Sequence, residues 1–269
     1  MKVLDLIKTL DEVLESADFK DVSYNGLQVQ ADPISLMRDE VEVVCTSADA
    51  SYEAINAAIA HDADLLLVHH GMYWRGADPR AVGVMGERLR TALETNLNIA
   101  AYHLPLDASM RFGNNANLCR LIGAERFDYV VPGDKTSIAM RAQLKEPLTY
   151  PELCRLLATE LDTKVELLGV REWGEQELSR KVKRAVVCSG SGSSILEHCP
   201  HPDFDVFITG DVSEQIYEIA NELALPVIAA GHHATEQSGV KALGDFLAEK
   251  FGIEHIHLNY NLEKESIWY

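Results

Sequence analysis

The sequence predicts an α/β protein of two interlinked α/β domains with mainly parallel sheets. Short apolar runs alternate with stretches of helical periodicity along the whole chain. The 269 residues amount to about 1.8 domains at roughly 150 residues each. The alternation breaks once, over residues 126–133, where a Pro-Gly turn falls among charged residues. The break divides the chain into a first domain over 1–125, completed by 230–269, and a second domain over 126–229. The metal site described below is expected at the strand ends between them.

Leu4, Ile7, Leu10, Val13 and Leu14 recur at helical spacing and mark an amphipathic first helix. Residues 41–46 read as a strand, and 51–61 as an Ala-rich helix with Ser51 as its cap. A buried strand follows at 65–68, a helix at 87–95, a strand at 99–102, and a helix at 115–122 stopped by Gly123. In the second half, 137–144 alternates as a strand does, and 151–161 is a helix with proline in its first turn. Strands are expected at 182–188, 206–209, 227–230 and 253–258, with helices at 213–223 and 236–251. The charged stretch 171–184 reads as a surface loop or hairpin.

Composition excludes several classes. Apolar residues make up 47% of the chain, enough for one or two packed cores. The net charge of −18 repels phosphate backbones and anionic membrane surfaces, so nonspecific nucleic-acid binding is disfavoured. A small anionic substrate held by local cations remains compatible with it. No apolar run reaches the length of a membrane span, and Asp5 stands where a signal peptide would be apolar. A cytoplasmic protein is expected. The cysteines are Cys45, Cys119, Cys154, Cys188 and Cys199, odd in number and nowhere spaced CxxC. They read as small buried side chains rather than disulfides or a structural zinc site.

The chemistry lies where apolar strands end. Leu65–Val68 runs into His69-His70-Gly71. Residues 99–102 run into His103 and then Asp107. Residues 227–231 run into His232-His233, with Glu236 four residues on. Five of the ten histidines fall in these three segments, and ligands of open α/β sheets bind beyond the carboxyl ends of strands. Adjacent histidines on an extended chain point in different directions, so His69 and His70 can serve two neighbouring metals. His232 and Glu236, at i and i+4, share a helix face. His233 faces away from that stripe. Imidazole with carboxylate suits Zn, Fe, Mn or Co. The plainer alternative, that strand-end histidines only satisfy backbone groups, is reasonable for one pair and poor for three.

These segments resemble the Nif-three-like, or YbgI-type, dinuclear metal-centre family, whose members carry the label GTP cyclohydrolase I type 2-like. The resemblance rests on Tyr24-Asn25-Gly26-Leu27-Gln28, Val68-His69-His70-Gly71, His103-Leu104-Pro105-Leu106-Asp107, Gly113-Asn114-Asn115, Thr209-Gly210-Asp211-Val212-Ser213-Glu214-Gln215 and Gly231-His232-His233-Ala234-Thr235-Glu236. It implies two divalent metal ions held by His69, His70, Asp107, His232 and Glu236, with His103 as a further ligand or near neighbour. It also implies a homo-oligomer, commonly a ring-shaped hexamer. The implied activity is that of a hydrolase in which metal-bound hydroxide attacks a purine nucleotide ring. The same residues are compatible with a phosphoester or amide hydrolase, or with a noncatalytic metal-binding or regulatory protein. No catalytic side chain beyond the metal ligands is assigned. A carboxylate has lone pairs for two cations, so Glu236 is expected to be shared.

Substrate contacts are less defined. Small residues over Cys188–Ser194 would allow backbone N–H groups near a phosphate, or form a turn with a serine cap. Ser213 suits an N-cap and Glu214 a first-turn dipole partner. Asn25-Gly26 suits a turn. Tyr73, Trp74 and Arg75 could stack a base and meet a phosphate, or pack as a loop at a subunit contact.

Overall fold

The computed structural model describes residues 1–32, 40–170, 172–197 and 203–259. Two compact units divide the chain, one of Met1–Leu106 with Gln237–Asn259, the other built on Asp107–Glu236. It is a mixed α/β protein. Among the described residues, no helix is long and apolar enough to cross a membrane.

The first unit opens with α1 (Val3–Leu14). Its buried stripe is Val3, Leu6, Ile7, Leu10 and Leu14, while Leu4 is 54% exposed. The expected stripe is therefore rotated by one position at its start. β1 (Gly26–Val29), β2 (Val43–Asp49), α2 (Tyr52–Ala60), β3 (Leu65–His70), α3 (Gly83–Glu94) and β4 (Asn98–Ala101) follow. Ser51 caps α2 as expected, accepting from the Ala54 N–H at 3.0 Å. The chain returns after the second unit to add α11 (Gln237–Phe251) and β11 (Glu254–His257). The sheet order is β1-β4-β3-β2-β11. β11, β2, β3 and β4 are parallel, and β1 alone runs against β4. Leu65, Leu66, Leu67 and Val68 are wholly buried, the continuous apolar run of a strand covered on both faces. The Tyr102 side chain, also buried, ties the sheet to α1 by donating to Asp11 Oδ1 at 2.9 Å.

α4 (Leu104–Ala108) crosses into the second unit. There follow α5 (Asn114–Leu121), β5 (Ala124–Tyr129), β6 (Met140–Thr149), α6 (Tyr150–Glu160), β7 (Glu166–Leu168), α7 (Glu175–Leu178), β8 (Lys181–Ser191), α8 (Ser193–Glu197), β9 (Val206–Asp211), α9 (Glu214–Glu222), β10 (Val227–Ala229) and α10 (His232–Thr235). The sheet order is β5-β6-β8-β9-β10-β7. Only β8, β9 and β10 are parallel, and β5, β6 and β7 join antiparallel. The first half of the stretch read as a break in the alternation, residues 126–129, thus belongs to a strand, β5, and the Pro-Gly turn follows it. Its Glu125, Arg126 and Asp128 are exposed, which hid it from an apolar-run criterion. Within the charged stretch 171–184, read as a loop or hairpin, one helical turn is followed by the start of β8; Arg171 lies outside the described residues. α6 begins with a capping box between Thr149 and Glu152 and has proline in its first turn.

Cys45, Cys119 and Cys188 are buried and Cys154 is half-buried, all four as free thiols. Cys199 lies outside the described residues. Burial pushes the Cys45 and Cys154 thiols up to about 11, which makes them inert at neutral pH.

The central strand of the first unit sets its stability. Leu66→Ala is expected to cost about 2–5 kcal/mol through the cavity it leaves. Leu4→Ala, on the exposed side of α1, should change stability by less than about 0.5 kcal/mol. Urea unfolding of the two variants checks the contrast.

Candidate metal-ligand clusters

In the first unit the parallel strands end at one edge, and their register decides what stands beside each imidazole. His70, the last residue of β3, lies opposite Asp49, the last residue of β2. His70 Nδ1 donates to Asp49 Oδ1 at 2.9 Å. One step earlier, His69 Nδ1 donates to the Tyr102 carbonyl at 3.0 Å, just past the end of β4. His103 follows, and its Nδ1 donates to Asp21 Oδ1 at 2.8 Å. A carbonyl or carboxylate oxygen only accepts, so each partner fixes the proton on Nδ1 and leaves Nε2 as the ligand atom. The three imidazoles form a group whose ligand atoms lie within 4.8 Å of one another.

Asp21 is the anchor of this group. It is buried, and it also accepts from the Ser23 amide, the Asn25 side chain and the Leu104 amide. Burial would raise its carboxyl, but the bonds from His103, Ser23 and Asn25 hold it well below the usual carboxylate range. Asn25 closes the ring by accepting from the His103 amide at 2.8 Å. Its role is therefore to position His103, beyond that of a turn residue. Gln28 accepts from the Met72 and Tyr73 amides and so holds the loop that follows the His pair. Gly71 is required there: a Cβ would meet the Gln28 amide and, at 2.6 Å, the Ala101 side chain. Trp74 packs against His70 and His103, with ring centroids 5.8 and 5.2 Å away. Arg75 donates to the Asp21 carbonyl and lies over the Tyr24 ring, 4.7 Å from its centroid.

In the second unit Asp107 is buried on α4. It accepts from Asn114 Nδ2 at 2.9 Å and from the Ser189 hydroxyl at 3.1 Å. Asn115 braces the same corner, accepting from the Ser189 amide and donating to the Asp107 and Ile138 carbonyls. His232 Nδ1 donates to Asp211 Oδ2 at 2.7 Å, and its Nε2 lies 3.2 Å from Glu236 Oε2. Hydrogen bonds to Asp211 and Glu236, against desolvation, push the His232 imidazole up to about 10. An imidazole flanked by two carboxylates is a donor set that suits a divalent cation. The donors present thus fit a divalent metal. Glu236 is not in the long helix, as expected, but is the C-cap of the single turn α10. The closeness to His232 comes from that turn.

In the segment Cys188–Ser194, three backbone amides are spent on side chains around these carboxylates. The Ser189 amide goes to Asn115, the Gly190 amide to Thr235 Oγ1 and the Gly192 amide to Thr209 Oγ1. Gly190, at φ +59°, leaves no room for a Cβ, which would run into the Glu236 carboxyl. Ser213 stands at the N-cap of α9 without a side-chain capping bond, and Glu214 occupies the first turn.

Asp21 and Asp49 were not among the residues singled out in the sequence. Asp49 had a usable signal, since it ends a strand parallel to β3. Asp21 had none, because it lies in no regular element. His255 and His257 belong elsewhere: both bond Thr46 Oγ1, at 2.8 and 2.9 Å, and His255 also meets Asp245. His198 and His201 lie outside the described residues.

Comparison with known proteins follows this geometry. The family described as Duf34/NIF3 (NGG1p interacting factor 3) matches residues 1–263. A Pseudomonas aeruginosa protein named "GTP cyclohydrolase 1 type 2 homolog" is 35% identical over 254 residues, covering 94% of this chain and 95% of that one. A Pyrococcus horikoshii protein of the same name is 36% identical over 255 residues, covering 95% and 96%. Among solved structures, the protein ybgI, titled as of unknown function, is 32% identical with a TM-score of 0.86 and covers 97% of this chain and 99% of its own.

The carboxylate beside His70 gives a direct check. Asp49→Ala, which removes the acceptor for His70 Nδ1, should weaken zinc binding by roughly 10–100-fold. Competition against a chromogenic chelator measures it. Unchanged affinity would show that the Asp49–His70 bond does not prepare a ligand.

Proposed function

This chain belongs to the Duf34/NIF3 family, and from that premise we propose that it is a dinuclear metal-dependent hydrolase acting on a small molecule, with a purine nucleotide as the candidate substrate. Its ligands are His69, His70, His103, Asp107, His232 and Glu236, and its two divalent ions are drawn from Zn, Fe, Mn or Co. One observation carries the reading. Each of the four histidines gives its Nδ1 proton to an oxygen acceptor: the Tyr102 carbonyl, Asp49, Asp21 and Asp211. His255 also meets a carboxylate through Nδ1 but spends its Nε2 on Thr46, whereas the ligand atoms of His69, His70 and His103 gather within 4.8 Å of one another, as metal-binding histidines do.

Two such ions, when bound, supply Lewis acidity and activate water near neutral pH. The chain's own residues do the rest. Asp21, Asp49 and Asp211 hold protons on Nδ1 and fix the tautomers. Ser189 and Asn114 orient Asp107. Arg75, exposed and held over Tyr24, offers a cation to an anionic substrate that the net charge of −18 would otherwise repel. The nucleotide is suggested by the name of the relatives, GTP cyclohydrolase 1 type 2 homolog.

Metal analysis and turnover test the two levels separately. Protein purified without oxygen and loaded with each metal in turn should hold two ions per chain and release formate from GTP. Two ions with no turnover across a panel of nucleotides, phosphoesters and amides would overturn the hydrolase reading and leave a metal-binding protein. One ion per chain at saturation would overturn the dinuclear centre. Glu236→Gln should weaken both ions, while His70→Ala should mainly weaken one.

The assembly proposed is a closed homohexamer. α3 supports it: Ala92 is its sole buried residue, and Val84 and Leu93 on it are 67% and 43% exposed, beside Val82 at 60%. A helix stabilised by packing needs more cover than that. Light scattering at micromolar concentration should give six times the chain mass, and a monomeric mass would refute the ring.

A further inference from the structure

One face of the second unit's sheet is only partly covered. α8 and α9 pack over its parallel strands, where Val186, Phe207, Leu196, Ile216 and Val227 form a buried cluster. The strand register continues this face outward. Val186 lies opposite Arg141, which lies opposite Asp128. Arg184 lies opposite Gln143, which lies opposite Arg126. Directly opposed residues point to the same side of a sheet. These side chains line a cavity of about 1050 Å³.

The cavity has two kinds of wall. One is apolar: Phe204, Phe207, Ile195, Val130, Val131 and Pro132. Val131 is 53% exposed, and the Phe204 and Phe207 rings stand 6.4 Å apart. The other wall is cationic. Arg184 is matched by Asp203 and Asp205. Arg126 donates to Gln143 Oε1, and Arg141 donates to the Val130 carbonyl at 2.7 Å. Both of these acceptors are neutral, and Asp128 is the one remaining carboxylate among the described residues of the lining. The lining thus carries more arginine than aspartate in a chain whose net charge is −18.

We propose that this groove binds an anionic amphiphile, a free medium-chain fatty acid, with its carboxylate between Arg126 and Arg141 and its chain along Phe204 and Val131. An apolar wall beside two guanidinium groups, with Asp128 as the single carboxylate next to them among the described lining residues, is complementary to that chemistry. A polypeptide segment would need backbone partners as well, and a polar metabolite would leave the phenylalanine wall unused. The site is separate from the metal ligands in residues and in chemistry.

Calorimetric titration of the full chain with decanoate and decanol tests it. Decanoate should bind once per chain, about tenfold or more tighter than decanol, as a charge-assisted hydrogen bond requires. The double variant Arg126→Gln/Arg141→Gln should lose that advantage and bind both alike. Val131→Asp, at an exposed position, should weaken both ligands. Because a carboxylate can also ligate a metal, the titration is repeated on chelator-treated protein, where decanoate affinity should be unchanged. Equal affinity for acid and alcohol, full decanoate affinity in the arginine variant, loss of binding on chelation, or no heat at millimolar ligand would each overturn the proposal.

Discussion

Parallel register is the constraint on which the first unit's chemistry depends. Because β2, β3 and β4 run the same way, their carboxyl ends come together, and each strand-end side chain has a neighbour fixed by the ladder. Asp49 stands beside His70 because the two are a register pair. The Tyr102 carbonyl meets His69 because the Tyr102 amide has already been bonded by the Val68 carbonyl. A shift of one residue would turn His69 outward and bury a different side chain. The apolar run Leu65–Val68 forbids that shift, since all four residues are wholly buried. The orientation of the imidazoles is therefore held by the core, at no cost in flexible side chains.

The second unit reaches a similar end by other means. His232 does not end a strand in a ladder pair. It opens a single helical turn, and Asp211, at the end of β9, reaches it from the sheet. Glu236 closes the turn and is pressed against Gly190, where no side chain fits. The imidazole lies between two carboxylates, whose hydrogen bonds raise its proton affinity. Three independent supports, from β8, β9 and α10, converge on two ligand residues.

The sequence was most readable where burial is complete. Continuous apolar runs revealed β3, β4, β9 and β10, and with β3, β4 and β10 the histidines at or just past their ends. It was less readable where polar residues belong to regular structure. β5 carries Glu125, Arg126 and Asp128 on an edge strand, so its composition mimics a linker. β2 extends three residues past the apolar run, through Ser47 and Ala48 to Asp49, and the carboxylate at its end was overlooked. Asp21 could not have been found by periodicity, because its bonds to His103, Asn25 and the Ser23 amide are made by an irregular segment. Glu236 was correctly paired with His232 by spacing, though the spacing came from a short turn and not from the helix that follows.

The position of β11 has a consequence for synthesis. β11 lies beside β2, yet it is made only after the entire second unit. Until the C-terminal segment leaves the ribosome, β2 is an unprotected edge, and the face that α11 will cover is bare. The described residues of the second unit, 107–236, are by contrast contiguous in the chain and include every strand of its sheet. The order of translation therefore runs against the order of the sheet: the nascent N-terminal portion must remain incomplete through most of elongation, with an apolar strand edge that invites pairing with other chains.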